Sequence, residues 1–140
     1  MTITRILSHA AALLLSAVLA LPVAAQSIAG SYLAGRHAAV NSDYREAARY
    51  YQNALAHDPA NVELLESTVL ALLSLGKVDR AAPLARNLQE RSAGSQVARM
   101  VITAEHAKLE NYRAILAQEA DTTGIGPWVD GLIKAWSHVG

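Results

Sequence analysis

The amino-acid sequence predicts an all-α fold, a solenoid of αα-hairpins with about three helix–turn–helix units and a C-terminal helix. Three observations predict it. Apolar residues recur every three to four positions between short breaks, the period of a helix with one buried face. Strand signals are sparse, with little strict alternation and few β-branched clusters. A set of positions repeats at an interval of 34 residues.

The N-terminal segment is set apart. Arg5 supplies a positive start, Ala10 to Leu21 an apolar run, Pro22 a break, and Val23-Ala24-Ala25 small residues suited to a cleavage enzyme. This is the three-part pattern of a secretory signal peptide over residues 1–25, cut after Ala25. A transmembrane anchor is the competing reading, but the run falls short of the roughly 20 apolar residues that a spanning helix needs. Cleavage leaves 115 of the 140 residues as one domain, 26–140. The membrane then meets this chain only through the segment that is removed.

Seven helices are expected after the cut. The first runs from Ile28 to Val40. The second runs from Tyr44 to Ala56, with Asp43 as N-cap, Glu46 as its capping-box partner, and His57-Asp58-Pro59 as the stop. Asn61 caps the third, Val62 to Leu75, which Gly76 ends. The fourth spans Asp79 to Gln89. Pro83 inside it predicts a late start or a bend, because proline disfavours helical geometry at the preceding Ala82. The fifth follows Ser95 and reaches Leu109. The sixth follows Asn111 and reaches Ala120. Thr122 to Gly126 reads as a loop, and Pro127 opens a seventh helix, Trp128 to Val139.

The interval is carried by several residues at once. Tyr44, Val78 and Tyr112 are 34 apart, as are Ala47, Ala81 and Ile115, and Asp43, Lys77 and Asn111. Pro59 and Pro127 are 68 apart, twice 34, with Ala93 midway. The units implied are about 28–61, 62–95 and 96–129, followed by the terminal helix. Gly35, Tyr44, Ala47, Tyr51, Ala54 and Pro59 complete the pattern in the first unit, and in these residues the chain resembles the tetratricopeptide (TPR) repeat family, of an exported bacterial type. The second unit keeps Leu65, Gly76, Ala81 and Ala85, with Ala93 in place of the proline. The third keeps Ile102, Asn111-Tyr112 and Pro127, while Glu119 and Thr122 replace an aromatic and an alanine. Ser31 stands where the family has a tryptophan.

Close packing within a unit calls for small facing side chains, and Gly35 with Ala47 is the expected pair, Tyr51 filling the space beside them. The terminal helix carries Trp128, Val129, Leu132, Ile133 and Trp136 along one side. It is either a cap that packs both tryptophans onto the third unit or the leading helix of a further unit in a longer array.

Composition excludes several functions. Twelve basic residues balance twelve acidic ones, so there is no excess to neutralise phosphates, and nucleic acid is not an expected partner. No cysteine occurs, which removes disulfides, thiolate catalysis and zinc–thiolate sites. His9, His37, His57, His106 and His138 show no pairing that would aim two metal ligands from one helical face, so no metal is expected. No nucleophile motif appears, and Glu63 with Glu66, or Glu105 with His106, reads as helix surface rather than acid–base machinery. Gly124-Ile125-Gly126 lacks the length and the lysine of a phosphate loop. Neither an enzyme nor a cofactor is expected.

The resemblance implies a protein–protein interaction scaffold or adaptor in the periplasm, with the first helix of each unit lining a concave groove. The matching positions are Ala29, Tyr32, Arg36 and Ala39, then Glu63, Glu66, Leu70 and Leu73, then Val97, Met100, Ala104 and Ala107. Tyr32, Arg36, Glu63, Glu66, Leu70 and Met100 are the candidate contacts for a protein or peptide partner. With Arg36 the one cation among them and two glutamates opposite, a mixed or apolar segment suits them better than an acidic C-terminus. The other function consistent with the sequence is structural, as the leading segment of a longer solenoid.

Overall fold

A computed structural model of the chain describes residues 25–118 and 124–139. The expected signal peptide lies outside the described residues, apart from Ala25. Among the described residues there are seven helices and no strand: α1 (Ala25–Val40), α2 (Tyr44–His57), α3 (Val62–Ser74), α4 (Val78–Arg91), α5 (Gln96–Lys108), α6 (Tyr112–Ala117) and α7 (Pro127–Ser137). Sequential neighbours pack as hairpins, and α3 also lies on α5, so each pair covers a face of the next.

Three turns explain the 34-residue interval. After α1, the Ser42 N–H donates to Ala39 O at 3.0 Å and the Asp43 N–H to Ala38 O at 2.9 Å. The same two bonds recur after α3, from Gly76 to Leu73 and Lys77 to Leu72, and after α5, from Glu110 to Ala107 and Asn111 to His106. This is the Schellman ending, which needs a left-handed residue just past the helix. Ser42, Gly76 and Glu110 supply it with φ of 61°, 67° and 54°. Asp43, Lys77 and Asn111 are then the N-caps of α2, α4 and α6. The capping box expected at Asp43 forms only by half. Its carboxylate accepts from the Glu46 N–H at 3.1 Å, but its own N–H is already bound to Ala38, so Glu46 turns to Arg49 instead.

The turns between hairpins repeat as well. Asp58 and Ser92 end α2 and α4 with φ of −139° and ψ of 77° and 83°, and Asn61 and Ser95 cap the following helices. Pro59 and Ala93 therefore share one backbone position. Pro127 does not. Pro59 precedes its helix by three residues, whereas Pro127 is the first residue of α7. The 68-residue spacing of the two prolines is thus not a structural equivalence. The cause lies upstream, where α6 ends at Ala117 rather than Ala120 and Gln118 turns extended, at φ −64° and ψ 113°. Residues Glu119, Ala120, Thr122 and Thr123, on which other expectations fell, lie outside the described residues.

Pro83 neither delays α4 nor ends it. The helix starts at Val78, and Pro83 forgoes a single bond, to Asp79 O, on an exposed face. Ala82 remains helical and fully buried.

Buried positions follow the same shift. Ala47, Ala48, Tyr51 and Ala54 of α2 correspond to Ala81, Ala82, Ala85 and Leu88 of α4, and all eight are in the core. Leu64, Leu65, Val69 and Leu72 of α3 fill the space between them. Burial of each such aliphatic side chain is worth about 1.5–3 kcal/mol. Thr68, also fully buried, satisfies its hydroxyl on Leu64 O at 2.6 Å.

The close approach at Gly35 involves the ring expected beside it. What lies over Gly35 is the Tyr51 ring, whose Cδ1 and Cε1 would sit 2.8 Å from a Cβ placed there. Tyr51 is 4% exposed and has no room to retreat. Gly35→Ala should cost about 1–2 kcal/mol, the overpacking outweighing the better helix propensity of alanine, and Ala47→Leu about 1–3 kcal/mol, both read from denaturant unfolding. Unchanged midpoints would contradict this packing. Glu110→Gly should raise stability by about 0.5 kcal/mol, because relief of the left-handed strain exceeds the entropy that glycine adds to the unfolded chain. A lowered melting temperature would contradict the left-handed turn.

Candidate functional site: the α1–α3 face

Helical spacing puts Tyr32 and Arg36 one turn apart on α1, and Glu63, Glu66 and Leu70 along one side of α3. The two helices meet through their side chains. The Tyr32 hydroxyl donates to a carboxylate oxygen of Glu63. Behind it, the Tyr51 ring lies 6.1 Å from the Tyr32 ring at 47°, a tilted aromatic pair. The Tyr51 ring, carried by α2, thus lies against both Tyr32 and Gly35 of α1. Gly35 makes room for that ring.

The electrostatics follow from this geometry. The hydrogen bond to Glu63 raises the Tyr32 phenol pKa above its ordinary value, with burial and the Glu63 charge acting in the same direction. Burial raises that of Tyr51. Arg36 opposes both shifts, which puts its charge beside the two phenols. Both tyrosines therefore stay neutral at physiological pH and act as a hydrogen-bonding, aromatic floor rather than as bases. Arg36 and Glu63 are exposed above it, and Leu70 is 41% exposed further along α3, with Glu66 half-buried between.

Met100 has different neighbours. With Ala104 and Ala107 of α5 it lines a cavity of about 580 Å³ shared with α6 and α7, where Ile115, Ile133 and Trp136 form other walls. The six candidate residues thus divide. Tyr32, Arg36 and Glu63 form one cluster, Glu66 and Leu70 extend it along α3, and Met100 belongs to an apolar hollow at the other end. Met100, Ala104 and Ala107 are positions expected to line a groove, and they do share this hollow; its walls from α6 and α7 were not foreseen. Nor did sequence reasoning pair the Tyr51 ring with Tyr32, which lies on a different helix. A second hollow of about 600 Å³ opens between α2 and α4, lined by Leu55, Pro59, Arg80, Pro83 and Leu84.

Glu105 is bound by Arg86 of α4 at 3.0 Å, and Lys108 by Asp79 at 2.8 Å, so both charged groups tie α5 to α4. Among the described residues no group of three or more His, Asp or Glu side chains could hold a metal ion, and no helix is long and apolar enough to cross a membrane. Asp130 accepts from the Ile125 and Gly126 N–H groups at 3.0 and 3.3 Å, so the Gly-Ile-Gly segment folds onto a carboxylate rather than round a phosphate.

No curated protein matches the chain. The family model described as tetratricopeptide repeat matches residues 32–96, from the middle of α1 to the start of α5. Such repeats generally mediate protein–protein interaction, and the family is typically non-catalytic. Three turns of one geometry 34 residues apart, alanine-lined hairpins that stack in sequence and this match together identify residues 32–96 as tetratricopeptide repeats.

Proposed function

We propose that this chain is a non-catalytic scaffold of the periplasm that holds a protein or peptide segment against the face formed by α1 and α3. In this reading, residues 1–25 direct export and are removed, and residues 26–140 form the binding domain, divided at about 61 and 95. The observation that carries the reading is the Tyr32–Glu63 bridge over the Tyr51 ring. It rigidifies two neighbouring repeats while leaving Arg36, Glu63 and Leu70 open to a partner. A preorganised surface of this kind loses little entropy on binding.

The surface chemistry narrows the ligand. An aromatic floor, an exposed leucine, one cation and two carboxylates suit an apolar segment that carries a basic group, with Arg36 aligning a backbone carbonyl or a carboxylate. Nothing on this face supplies the cluster of cations that an acidic segment would require.

Expression with the native N-terminus followed by cell fractionation should yield a periplasmic species that begins at Gln26. Pull-down from periplasmic extract should lose its partners in the Tyr32→Ala/Leu70→Ala double variant. The same captured proteins in both samples would refute the groove, and a cytoplasmic, uncleaved product would refute the location.

A further inference from the structure

The terminal helix is inverted. Its charged residues, Asp130 and Lys134, are half-buried toward the fold, while Trp128, Leu132, Trp136 and Val139 are 87%, 72%, 73% and 87% exposed. Gly131 and Ala135, also exposed, lie between them, and a Cβ at Gly131 would meet nothing within 4 Å. At about 100° per residue these positions from Trp128 to Trp136 share one face, which carries no Asp, Glu, Lys or Arg, and Val139 follows just past the helix end. The tryptophans therefore do not cap the third hairpin. α7 reaches the fold through α6 and leaves the 580 Å³ cavity beside α5 open, with Trp136 and Leu132 among its walls.

We propose that this face is the interface of a two-fold dimer, occupied by α7 of a second copy of the chain. The sequence of α7 is arranged symmetrically for this purpose. Leu132 lies midway between Trp128 and Trp136. Two antiparallel α7 helices centred on Leu132 place each leucine against its own copy and each Trp128 against Trp136 of the other, about 6 Å from the axis along the helix. Because Trp136 lines the cavity, Trp128 of the second copy arrives at its mouth. The cavity is several times the roughly 150 Å³ that holds a benzene ring. Gly131 and Ala135 let the two backbones approach closely.

The area agrees. Two tryptophans at these exposures carry roughly 300 Å², and Leu132, Val129 and Val139 bring the patch to about 500 Å² per copy. Two such patches bury about 1,000 Å², the lower end of specific interfaces. A reversible dimer is the consequence, and since no charged side chain lies on the face, no like-charge contact opposes it. This site is distinct from the α1–α3 face and stands or falls separately from it.

The full chain, expressed with its own N-terminal segment, provides the test. Sedimentation velocity over roughly 1–200 µM should show passage from monomer to dimer. Emission from the two tryptophans, the only two in the chain, should shift to the blue in parallel. Leu132→Glu and Leu132→Lys should each remain monomeric with unchanged helical circular dichroism, and an equimolar mixture of the two should restore the dimer. A wild-type monomer throughout the range overturns the proposal and leaves the face to another partner. So does a dimer that persists in both variants, or a mixture that stays monomeric.

Discussion

Everything in this fold depends on how closely its helices approach, and that distance is set by small side chains. Ala47, Ala48 and Ala54 on α2 and Ala81, Ala82 and Ala85 on α4 are all buried. Individually they contribute little area. Their effect is to let neighbouring helices approach to roughly 8–10 Å, so that Leu64, Leu65, Val69, Leu72 and Leu88 become enclosed on all sides. A larger residue in the seam would separate the helices and expose the leucines as well. Gly35 is the extreme case, where even a methyl group would strike the Tyr51 ring. The same ring also packs against Tyr32, so the requirement that packs the hairpin also shapes the candidate binding face.

The repeat is maintained by backbone geometry more than by residue identity. Serine, glycine and glutamate occupy the same left-handed turn position, and aspartate, lysine and asparagine the same N-cap. Two of the three left-handed residues bear a Cβ and are strained there. They are tolerated because two hydrogen bonds and the docking of two helices determine the turn. Regularity fails where helix length fails. α6 spans six residues, against fourteen in α2 and α4, and it offers Ile115 alone as a fully buried side chain. α7 consequently starts early, takes its neighbour from α6, and leaves its own apolar side and a cavity unfilled.

The fold was legible because its signals are local and periodic. Helix boundaries from α1 to α5 follow from caps and breakers, such as Asp43, Asn61, Gly76 and Ser95, each of which acts within its own turn. Shifts of 34 in Ala47, Ala81 and Ile115 correspond to three buried positions. What could not be read was whatever depends on contact across the chain. The N–H of Asp43 is occupied by Ala38, which precludes the reciprocal half of the capping box. Pro127 repeats in number and not in place, since a proline is as suited to the first position of a helix as to the turn before it. In the candidate site, helical spacing put Tyr32 with Arg36, and Glu63 with Leu70, on common faces. It could not reveal that Tyr32 binds Glu63, or that Met100 faces a separate hollow.

Residue-resolved amide hydrogen exchange tests the alanine-lined stack most directly. Ala54 and Leu88, equivalent under the shift and both fully buried, should fall with Val69 in the slowest-exchanging class, while Ile115 and Ile133 exchange faster. Protection that peaks in α6 and α7, or that separates Ala54 from Leu88 by orders of magnitude, would contradict a stack held together by its repeated seam.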